Sequence, residues 1–211
     1  MADTILYGLH ASPYVRAARL GLEEKGVAYD LVEFPVSEIK AQPHLSRQPF
    51  GRIPAFEHKG FPLYETQAIL RYVDAAFPGP ALQRTDPREA ARMNQIMGIV
   101  DAYMFMDVSF GISYQRLMAP KHGKAPDEAR VKDSLPKARL CIEALDGLKG
   151  DNVFMAGEAV SLADLMVAPH YHYFSLTPEG RDILGPHERL RRWWQAMAPR
   201  ESIKKTEPRP G

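Results

Sequence analysis

The chain has 211 residues, of which 45% are hydrophobic, and its 27 basic and 26 acidic residues give a net charge of +1. This length and composition fit one large or two small globular domains with a hydrophobic core. The even charge balance gives no electrostatic attraction to nucleic acid or to an anionic membrane, so we expect neither partner. The one cysteine, Cys141, excludes an intramolecular disulfide, a CxxC redox pair and a cysteine-based zinc site. The histidines show no metal-ligand spacing, so we also expect no metal.

The N-terminal residues carry an acid and lead directly into a strand-like run. They show neither a basic n-region nor a long apolar core, so no signal peptide is predicted. No window of the sequence suggests a membrane span. We therefore expect a cytoplasmic protein.

The first third of the chain alternates between short strand patterns and amphipathic helix patterns. Ser12-Pro13 begins the first helix, with serine in the N-cap position and proline at the first helical position, and Gly26 ends it. His58-Lys59-Gly60 indicates a hairpin turn between two later strands. Strands are predicted at 4–7, 28–34, 53–56 and 61–63, and helices at 13–25, 37–45 and 65–77. The resulting order, β-α-β-α-β-β-α, predicts a small α/β layer.

The composition changes at Pro78-Gly79-Pro80, and the remainder of the chain shows helical periodicity. We predict a first domain over residues 1–78, a linker over 79–86 and an all-helical bundle over 87–200. The last residues, 201–211, are charged and proline-rich and are predicted to be a loose tail.

Two short segments of the first domain suggest a clamp for a small peptide-like ligand. Ile53-Pro54 begins a strand with a residue that cannot donate a ladder hydrogen bond. Glu65-Thr66 places a carboxylate, a hydroxyl and backbone N–H groups together at a helix N-terminus. Such a pair of features suits a ligand that carries both an ammonium group and carboxylates.

Five short motifs follow one another along the chain. They are Leu6-Tyr7-Gly8, Ser12-Pro13-Tyr14-Val15-Arg16, Pro49-Phe50-Gly51-Arg52-Ile53-Pro54, Leu63-Tyr64-Glu65-Thr66-Gln67-Ala68-Ile69, and Gly157 with Ser161-Leu162-Ala163-Asp164. In their order and spacing these motifs resemble the soluble glutathione transferases, and the resemblance covers roughly residues 4–200. A serine at the start of the first helix resembles the serine-type branch, which includes phi, theta and delta-like bacterial forms. The fold implied is a thioredoxin-like β-α-β-α-β-β-α domain followed by a C-terminal helical bundle.

The resemblance implies that glutathione lies along the first domain as a cosubstrate, with no permanently bound cofactor. Ile53 would offer its backbone to the cysteinyl unit, with Pro54 in cis, and Glu65 and Thr66 would bind the γ-glutamyl end. Lys40, counted back from Pro49-Phe50-Gly51, falls where phi-like members carry a lysine for the glycine carboxylate. Arg52 departs from the glutamine or lysine that usually precedes this Ile/Val-Pro pair, so its role stays open.

The chemistry required is ionisation of the glutathione thiol, because the thiolate is the nucleophile. A thiol with a pKa of ~8.5 is only about 3% ionised at pH 7. A hydroxyl hydrogen bond to a charged acceptor contributes roughly 1.5–3 kcal/mol, and a helix N-terminus adds about 0.3–1 kcal/mol. Ser12 can supply both and is the predicted donor to the sulfur. Tyr7 is the alternative donor, because other branches use a tyrosine at the end of this strand.

An apolar electrophile pocket is the second expected site. It is predicted to include residues near the first helix and aromatic or methionine side chains of the first long helix of the bundle, which could alternatively serve in core packing. The predicted pocket residues are His10, Ala11, Tyr14, Met104, Phe105, Phe110 and Tyr114.

The leading hypothesis is a homodimeric glutathione S-transferase that conjugates glutathione to apolar electrophiles in detoxification, as the resemblance implies. One alternative keeps the fold and changes the reaction to a glutathione-dependent isomerase, dehalogenase or peroxidase. Another is a non-catalytic glutathione-binding module. No cysteine lies near position 12, which disfavours a cysteine-type thiol transferase.

Overall fold

A computed structural model describes residues 2–208 of the chain. The chain forms two compact units. The first comprises residues 2–82 together with residues 200–208, and the second comprises Gln83–Pro199. The boundary between the units thus falls inside the predicted linker of residues 79–86.

The first unit is built on a four-stranded sheet in the order β2-β1-β3-β4. Its strands are β1 (Thr4–Tyr7), β2 (Asp30–Val32), β3 (Ala55–His58) and β4 (Phe61–Tyr64). β1 pairs in parallel with β2 and antiparallel with β3, and β3 pairs antiparallel with β4. The predicted β-α-β-α-β-β-α order is confirmed. β3 begins only after Pro54, which has no N–H to donate to a ladder.

The helices of this unit are α1 (Pro13–Glu24), α2 (His44–Arg47) and α3 (Thr66–Ala76). α1 and α3 bury one apolar face each against the sheet, in a core centred on Leu6, Val15 and Ile69. The predicted helix at 37–45 is instead a 3₁₀ turn at Val36–Glu38 followed by the short α2. Pro43 explains the break, because proline lacks an N–H and clashes with the preceding turn inside a helix.

The second unit is all-helical, as predicted. Its helices pack against one another through their apolar faces. A continuous helix of 31 residues, Pro87–Leu117, consists of three parts. These are α4 (Pro87–Ile99), a π-helical stretch over Val100–Ser113, hereafter the π segment, and α5 (Tyr114–Leu117). A 3₁₀ turn at Pro120–His122 follows, and then α6 (Glu128–Lys149), α7 (Leu162–Ser175), α8 (Pro178–Leu184) and α9 (Glu188–Met197). α6 and α7 pack against the π segment.

The helix Pro87–Leu117 corrects the expectation that no window suggests a membrane span. By length and composition it could cross a bilayer, because only Asp101 and Asp107 introduce charge between residues 94 and 115. Half of its most apolar stretch is buried inside the protein, which is the arrangement of a core helix. The apolar character is therefore used in packing within the second unit.

Asp164, in the first turn of α7, is the main polar centre of the second unit. One carboxylate oxygen accepts from Met155 N and Trp193 Nε1, both at 2.8 Å. The other accepts from the backbone N of Ser161 at 2.8 Å and from its hydroxyl at 2.7 Å. Burial raises the pKa of Asp164, while these four hydrogen bonds act in the opposite direction. The pair Ser161 and Asp164 thus ties the start of α7 to α9 and to the loop before α7.

The predicted loose tail at 201–211 is wrong for its first part. Residues Glu201–Lys205 form α10, which packs on α1, and Ile203 and Thr206 are buried. The buried Arg16 donates to Ile203 O and to Thr206 Oγ1, and Arg19 donates to the Lys205 and Thr206 carbonyls. Guanidinium donors suit the unsatisfied carbonyls at a helix C-terminus, and the composition of the tail concealed this long-range pairing. Residues 209–211 of the predicted tail lie outside the described residues.

Candidate active site

The loop between β1 and α1 places Ser12 at the N-terminus of α1. Ser12 is the N-cap, and its hydroxyl oxygen accepts from Val15 N at 3.4 Å, a long contact. The loop is held by hydrogen bonds from Gly8 N to Val32 O and from His10 N to Glu33 Oε1. Capping uses a lone pair of the Ser12 oxygen, so its O–H remains able to donate to a ligand. One residue can therefore serve both as a cap and as a thiolate donor.

Gly8 brings the start of α1 close to Ile53. A Cβ at position 8 would lie 2.5 Å from Val15 Cγ2 and 3.3 Å from Ile53 Cβ. Both distances are too short for an ordinary contact, so only glycine permits this approach. The structure thus brings the first turn of α1, which carries Ser12, next to the segment predicted to bind the cysteinyl unit.

The segment of Arg52, Ile53 and Pro54 has the form expected for a peptide-binding edge. The Ile53–Pro54 peptide bond is cis, as the resemblance implied, and Pro54 is buried. Among the described residues, Ile53 N–H and C=O make no hydrogen bond to another backbone group. These two groups are available to an extended ligand, as in the addition of a strand to a sheet edge.

Two buried side chains from α2 and its C-terminal end fix the backbone just before Ile53. Gln48 Oε1 accepts from Arg52 N at 3.0 Å, and His44 Nε2 lies 2.7 Å from Arg52 O. Gln48 is 1% exposed and His44 is 2% exposed. Both peptide groups of Arg52 are thereby satisfied by side chains, so this turn does not depend on a sheet ladder. Neither residue was predicted to have this role, although Gln48 directly precedes the Pro49-Phe50-Gly51 motif.

Lys40 and Arg52 are the two exposed cations of this region. A Cβ at Gly51 would lie 3.0 Å from Lys40 Cγ, so the stem of Lys40 runs alongside the turn that leads to Arg52. Two flexible cations on one turn suit a carboxylate ligand. Their assignment to the glycine carboxylate stays a prediction.

Glu65 and Thr66 lie where β4 passes into α3, as predicted. Glu65 is exposed and occupies the N-cap position with a φ of 70°, a region that residues other than glycine rarely adopt. Thr66 is buried as the first residue of α3. Backbone strain of this kind is often found at ligand sites, where it aims a side chain or a main-chain group. The first N–H groups of α3 and the carboxylate of Glu65 lie together here, and their role as the second half of the clamp stays a prediction.

Tyr7, the alternative donor, is the last residue of β1. Its ring is 9% exposed, and the Arg47 guanidinium carbon lies 4.3 Å from the ring centroid. Leu6, its neighbour, faces the core formed with α1 and α3, so alternation directs Tyr7 to the opposite face of the sheet. The choice of Ser12 over Tyr7 as the thiolate donor stays a prediction.

The residues predicted to contact the electrophile belong to both units. His10, Ala11 and Tyr14 are half-buried in the first unit. In the second unit, Met104 is fully buried and acts as a core side chain, which was the alternative considered for it. The three aromatic residues predicted for the pocket retain accessible surface: Phe105 and Tyr114 are half-buried, and Phe110 is 38% exposed.

Comparison with known proteins identifies the family of this chain. Residues 6–81 match the glutathione S-transferase N-terminal domain, and residues 128–196 match the glutathione S-transferase C-terminal domain. The chain is 30% identical to the probable glutathione S-transferase GSTF1 of Oryza sativa subsp. japonica, over 97% of this chain and 95% of that protein.

Solved structures agree with the sequence match. Glutathione transferase F7 from Populus trichocarpa superposes with a TM-score of 0.86 at 27% identity, covering 96% of this chain and 97% of that one. Maize glutathione S-transferase I, solved in complex with an atrazine glutathione conjugate, gives a TM-score of 0.83 at 26% identity, covering 96% and 95%. The two domain matches, the full-length identity and the shared fold show that the chain belongs to the glutathione S-transferase family.

Proposed function

We propose that this glutathione S-transferase ionises the bound thiol with the Ser12 hydroxyl at the N-terminus of α1. The observation that carries the proposal is the contact at Gly8, which joins the first turn of α1 to Ile53. A cysteinyl unit paired with the Ile53 backbone therefore has its sulfur on the Ser12 side of the clamp. The positive end of the helix dipole acts on the same atom as the hydroxyl donor.

In this arrangement the remaining groups bind and orient the tripeptide. Ile53 N–H and C=O pair with the cysteinyl backbone, in the way that a peptide adds to a strand edge. Glu65 accepts from the γ-glutamyl ammonium group, and the N-terminus of α3 with Thr66 receives its carboxylate. Lys40 and Arg52 bind the glycine carboxylate at the other end. The thiolate then displaces a leaving group from, or adds to, an electrophile held nearby, and the resulting thioether leaves as the product.

The acceptor is an apolar electrophile, and the three aromatic residues Phe105, Phe110 and Tyr114 are proposed to contact it. A role in detoxification, a cytoplasmic location and a homodimer complete the proposal. Light scattering at micromolar concentration tests the dimer, and a panel of halides, epoxides, isothiocyanates and hydroperoxides identifies the preferred reaction. Turnover of hydroperoxides alone would favour the peroxidase alternative.

Replacement of Ser12 is the central test. Ser12→Ala removes a hydroxyl hydrogen bond to an anion worth about 1.5–3 kcal/mol, so we expect conjugation of an aryl halide at pH 7 to fall about 10- to 100-fold. The pKa in the pH profile of kcat/KM should rise by about 1–2 units, while the calorimetric Kd for glutathione changes little.

Two further variants decide between the donors. Ser12→Thr retains the hydroxyl and should keep a low pKa in the profile, whereas Tyr7→Phe should leave that pKa in place. A normal profile in Ser12→Ala together with a raised pKa in Tyr7→Phe would assign the role to Tyr7. Absence of any heat on titration with millimolar glutathione would refute glutathione binding altogether.

A further inference from the structure

The π segment changes which side chains share a face of the long helix. In an α-helix, five residues advance about 500°, so side chains five apart are separated by about 140° around the axis. A π-helix bonds each residue to the one five positions on, and a turn takes roughly one residue more, so such side chains lie within about 50° of each other. Phe105 and Phe110 are five apart, and Tyr114 follows four residues later. The π geometry therefore brings Phe105 toward the face of Phe110 and Tyr114, two residues that are four apart and share a face in an α-helix as well.

The observed burial agrees with this alignment. The buried face of the segment includes the apolar residues Val100, Met104, Val108 and Ile112. The aromatic stripe, defined as Phe105, Phe110 and Tyr114, keeps accessible surface, and the rings of Phe110 and Tyr114 lie 5.2 Å apart. At the end of the segment, Tyr114 N donates to Ser109 O, five residues earlier.

A hydrogen bond between buried side chains joins the middle of the π segment to α7. Ser109 Oγ lies 2.6 Å from Nδ1 of His170, and the two residues are 7% and 0% exposed. The same imidazole makes an edge contact with the ring of Phe105 at 6.4 Å between centroids. Burial lowers the pKa of His170 to about 3, so the imidazole is neutral at physiological pH. His170 thus contacts both the hydroxyl of Ser109 and the first ring of the stripe.

A close contact with α6 holds the other side of the segment. A Cβ at Gly111 would lie 2.1 Å from Ser134 Oγ, so only glycine allows this approach. Ser134 Oγ in turn donates to Asp107 Oδ1 at 3.3 Å. The segment is therefore held between α7 at Ser109 and α6 at Gly111, two residues apart.

We propose that the hydrogen bond between Ser109 and His170 is a positioning contact for the electrophile, because it fixes the register of the π segment and with it the aromatic stripe. This inference rests on the proposed function of Phe105, Phe110 and Tyr114. Ser109 and His170 are buried, and the proposal places neither of them against a substrate. Their hydrogen bond should affect the binding of the electrophile and leave the binding of glutathione unchanged. The glutathione site, built from the first unit, should not respond to it.

Ser109→Ala tests the proposal, and Ser113→Ala is its matched control. Ser113 is a serine of the same segment with similar burial, but its hydroxyl donates within the segment, to Val108 O at 2.9 Å. We expect Ser109→Ala to raise KM for an aryl halide about fivefold, with KM for glutathione and the pKa in the pH profile unchanged. An alkyl halide, which gains less from aromatic contacts, should show a smaller rise. Ser113→Ala should change none of these quantities by more than about twofold.

A second measurement does not depend on catalysis. Hydrogen exchange of the backbone amides of residues 105–114 should be faster in Ser109→Ala than in Ser113→Ala, because the first variant loses a hydrogen bond from the segment to α7. If Ser109→Ala does not fold, Ser109→Cys, which keeps the volume and weakens the hydrogen bond, is expected to show the same pattern.

The outcomes separate this inference from the proposed function. Equal hydrogen exchange in Ser109→Ala and Ser113→Ala would overturn the positioning role. An equal rise in KM for the aryl halide and for glutathione in Ser109→Ala would overturn it as well. If the wild-type protein binds glutathione but conjugates no electrophile, the proposed function fails, and the positioning role fails with it. If conjugation is normal and Ser109→Ala acts like Ser113→Ala, only the positioning role is refuted.

Discussion

The two units of this protein use different parts of the chain to form their proposed sites. The first unit offers mainly backbone groups at helix ends and at a turn, namely α1, α3 and the Ile53 segment. The second unit offers aromatic side chains from one helix whose register depends on its neighbours. Backbone sites need particular residue types at particular local positions, so they leave short motifs in the sequence. The positions of the aromatic side chains depend on the geometry of their helix, and several contacts distant in sequence determine that geometry together.

The largest expected effect tests how far the second unit depends on one buried group. Asp164→Ala removes the acceptor of four hydrogen bonds and leaves buried donors from Ser161, Met155 and Trp193 unsatisfied. We expect the free energy of unfolding to fall by about 3–4 kcal/mol, measured by urea denaturation. Asp182→Ala, which removes an exposed ion pair with Arg139, is the control and should cost less than about 1 kcal/mol. Similar losses in both variants would contradict the central role of Asp164.

The second prediction concerns the acid stability of the same unit. The folded pKa of His170, about 3, lies below its ordinary value because burial disfavours the imidazolium. The unfolded chain therefore binds a proton more readily below pH ~6.5, and stability is lost as the pH falls from there toward 3. This residue should contribute a loss of about 2 kcal/mol between pH 8 and pH 5.

Matched histidine variants isolate that contribution. His170→Asn should show a weaker pH dependence of the free energy of unfolding than the wild-type protein, whatever its absolute stability. His122→Asn, which changes an exposed histidine, should leave the pH dependence as it is. The same pH dependence in His170→Asn and the wild type would show that the buried imidazole does not resist protonation.

The third prediction tests whether the backbone site of the first unit requires its buried support. Gln48→Ala leaves Arg52 N without its acceptor next to the Ile53 segment. We expect the Kd for glutathione to rise about 5- to 30-fold, from a loss of about 1–2 kcal/mol, by calorimetry. Gln42→Ala, which removes an exposed glutamine that accepts from Ser46, should bind normally. Normal binding by Gln48→Ala would mean that the turn holds its shape without this side chain.

The smallest expected effect concerns the exposed cations. Lys40→Met should weaken glutathione binding about two- to fivefold, since an exposed charge contributes roughly 0.5–1 kcal/mol. The difference from the wild type should shrink as salt is added, because exposed charges are screened. Lys59→Met, at the turn between β3 and β4, is the control for net charge and should have no effect. A salt-independent effect of Lys40→Met would point to packing beside Gly51 rather than to the carboxylate.

These differences also explain how much was predictable from the sequence. The order of elements in the first unit, the Ser12 cap and the Ile53-Pro54 and Glu65-Thr66 features follow from local patterns, and the structure places them as expected. The support from His44 and Gln48 was missed because their partner is a backbone group, which no residue type signals. The π segment was predicted as an ordinary helix. The spacing of its apolar residues does not show whether backbone hydrogen bonds join residues four apart, as in an α-helix, or five apart, as in a π-helix. The buried helix α10 was predicted as a tail, because its stabilising contacts come from Arg16 and Arg19, almost 190 positions earlier along the chain.

The return of α10 to α1 has a consequence for biosynthesis. The ribosome releases the sheet and α1 long before residues 200–206, so the first unit emerges without the carbonyls that its buried Arg16 and Arg19 later bind. The whole second unit is translated in this interval, which makes it an insertion within the first. Completion of the first unit must therefore wait until residues 200–206 have been translated. A fragment that ends at Leu82 lacks part of its own interior.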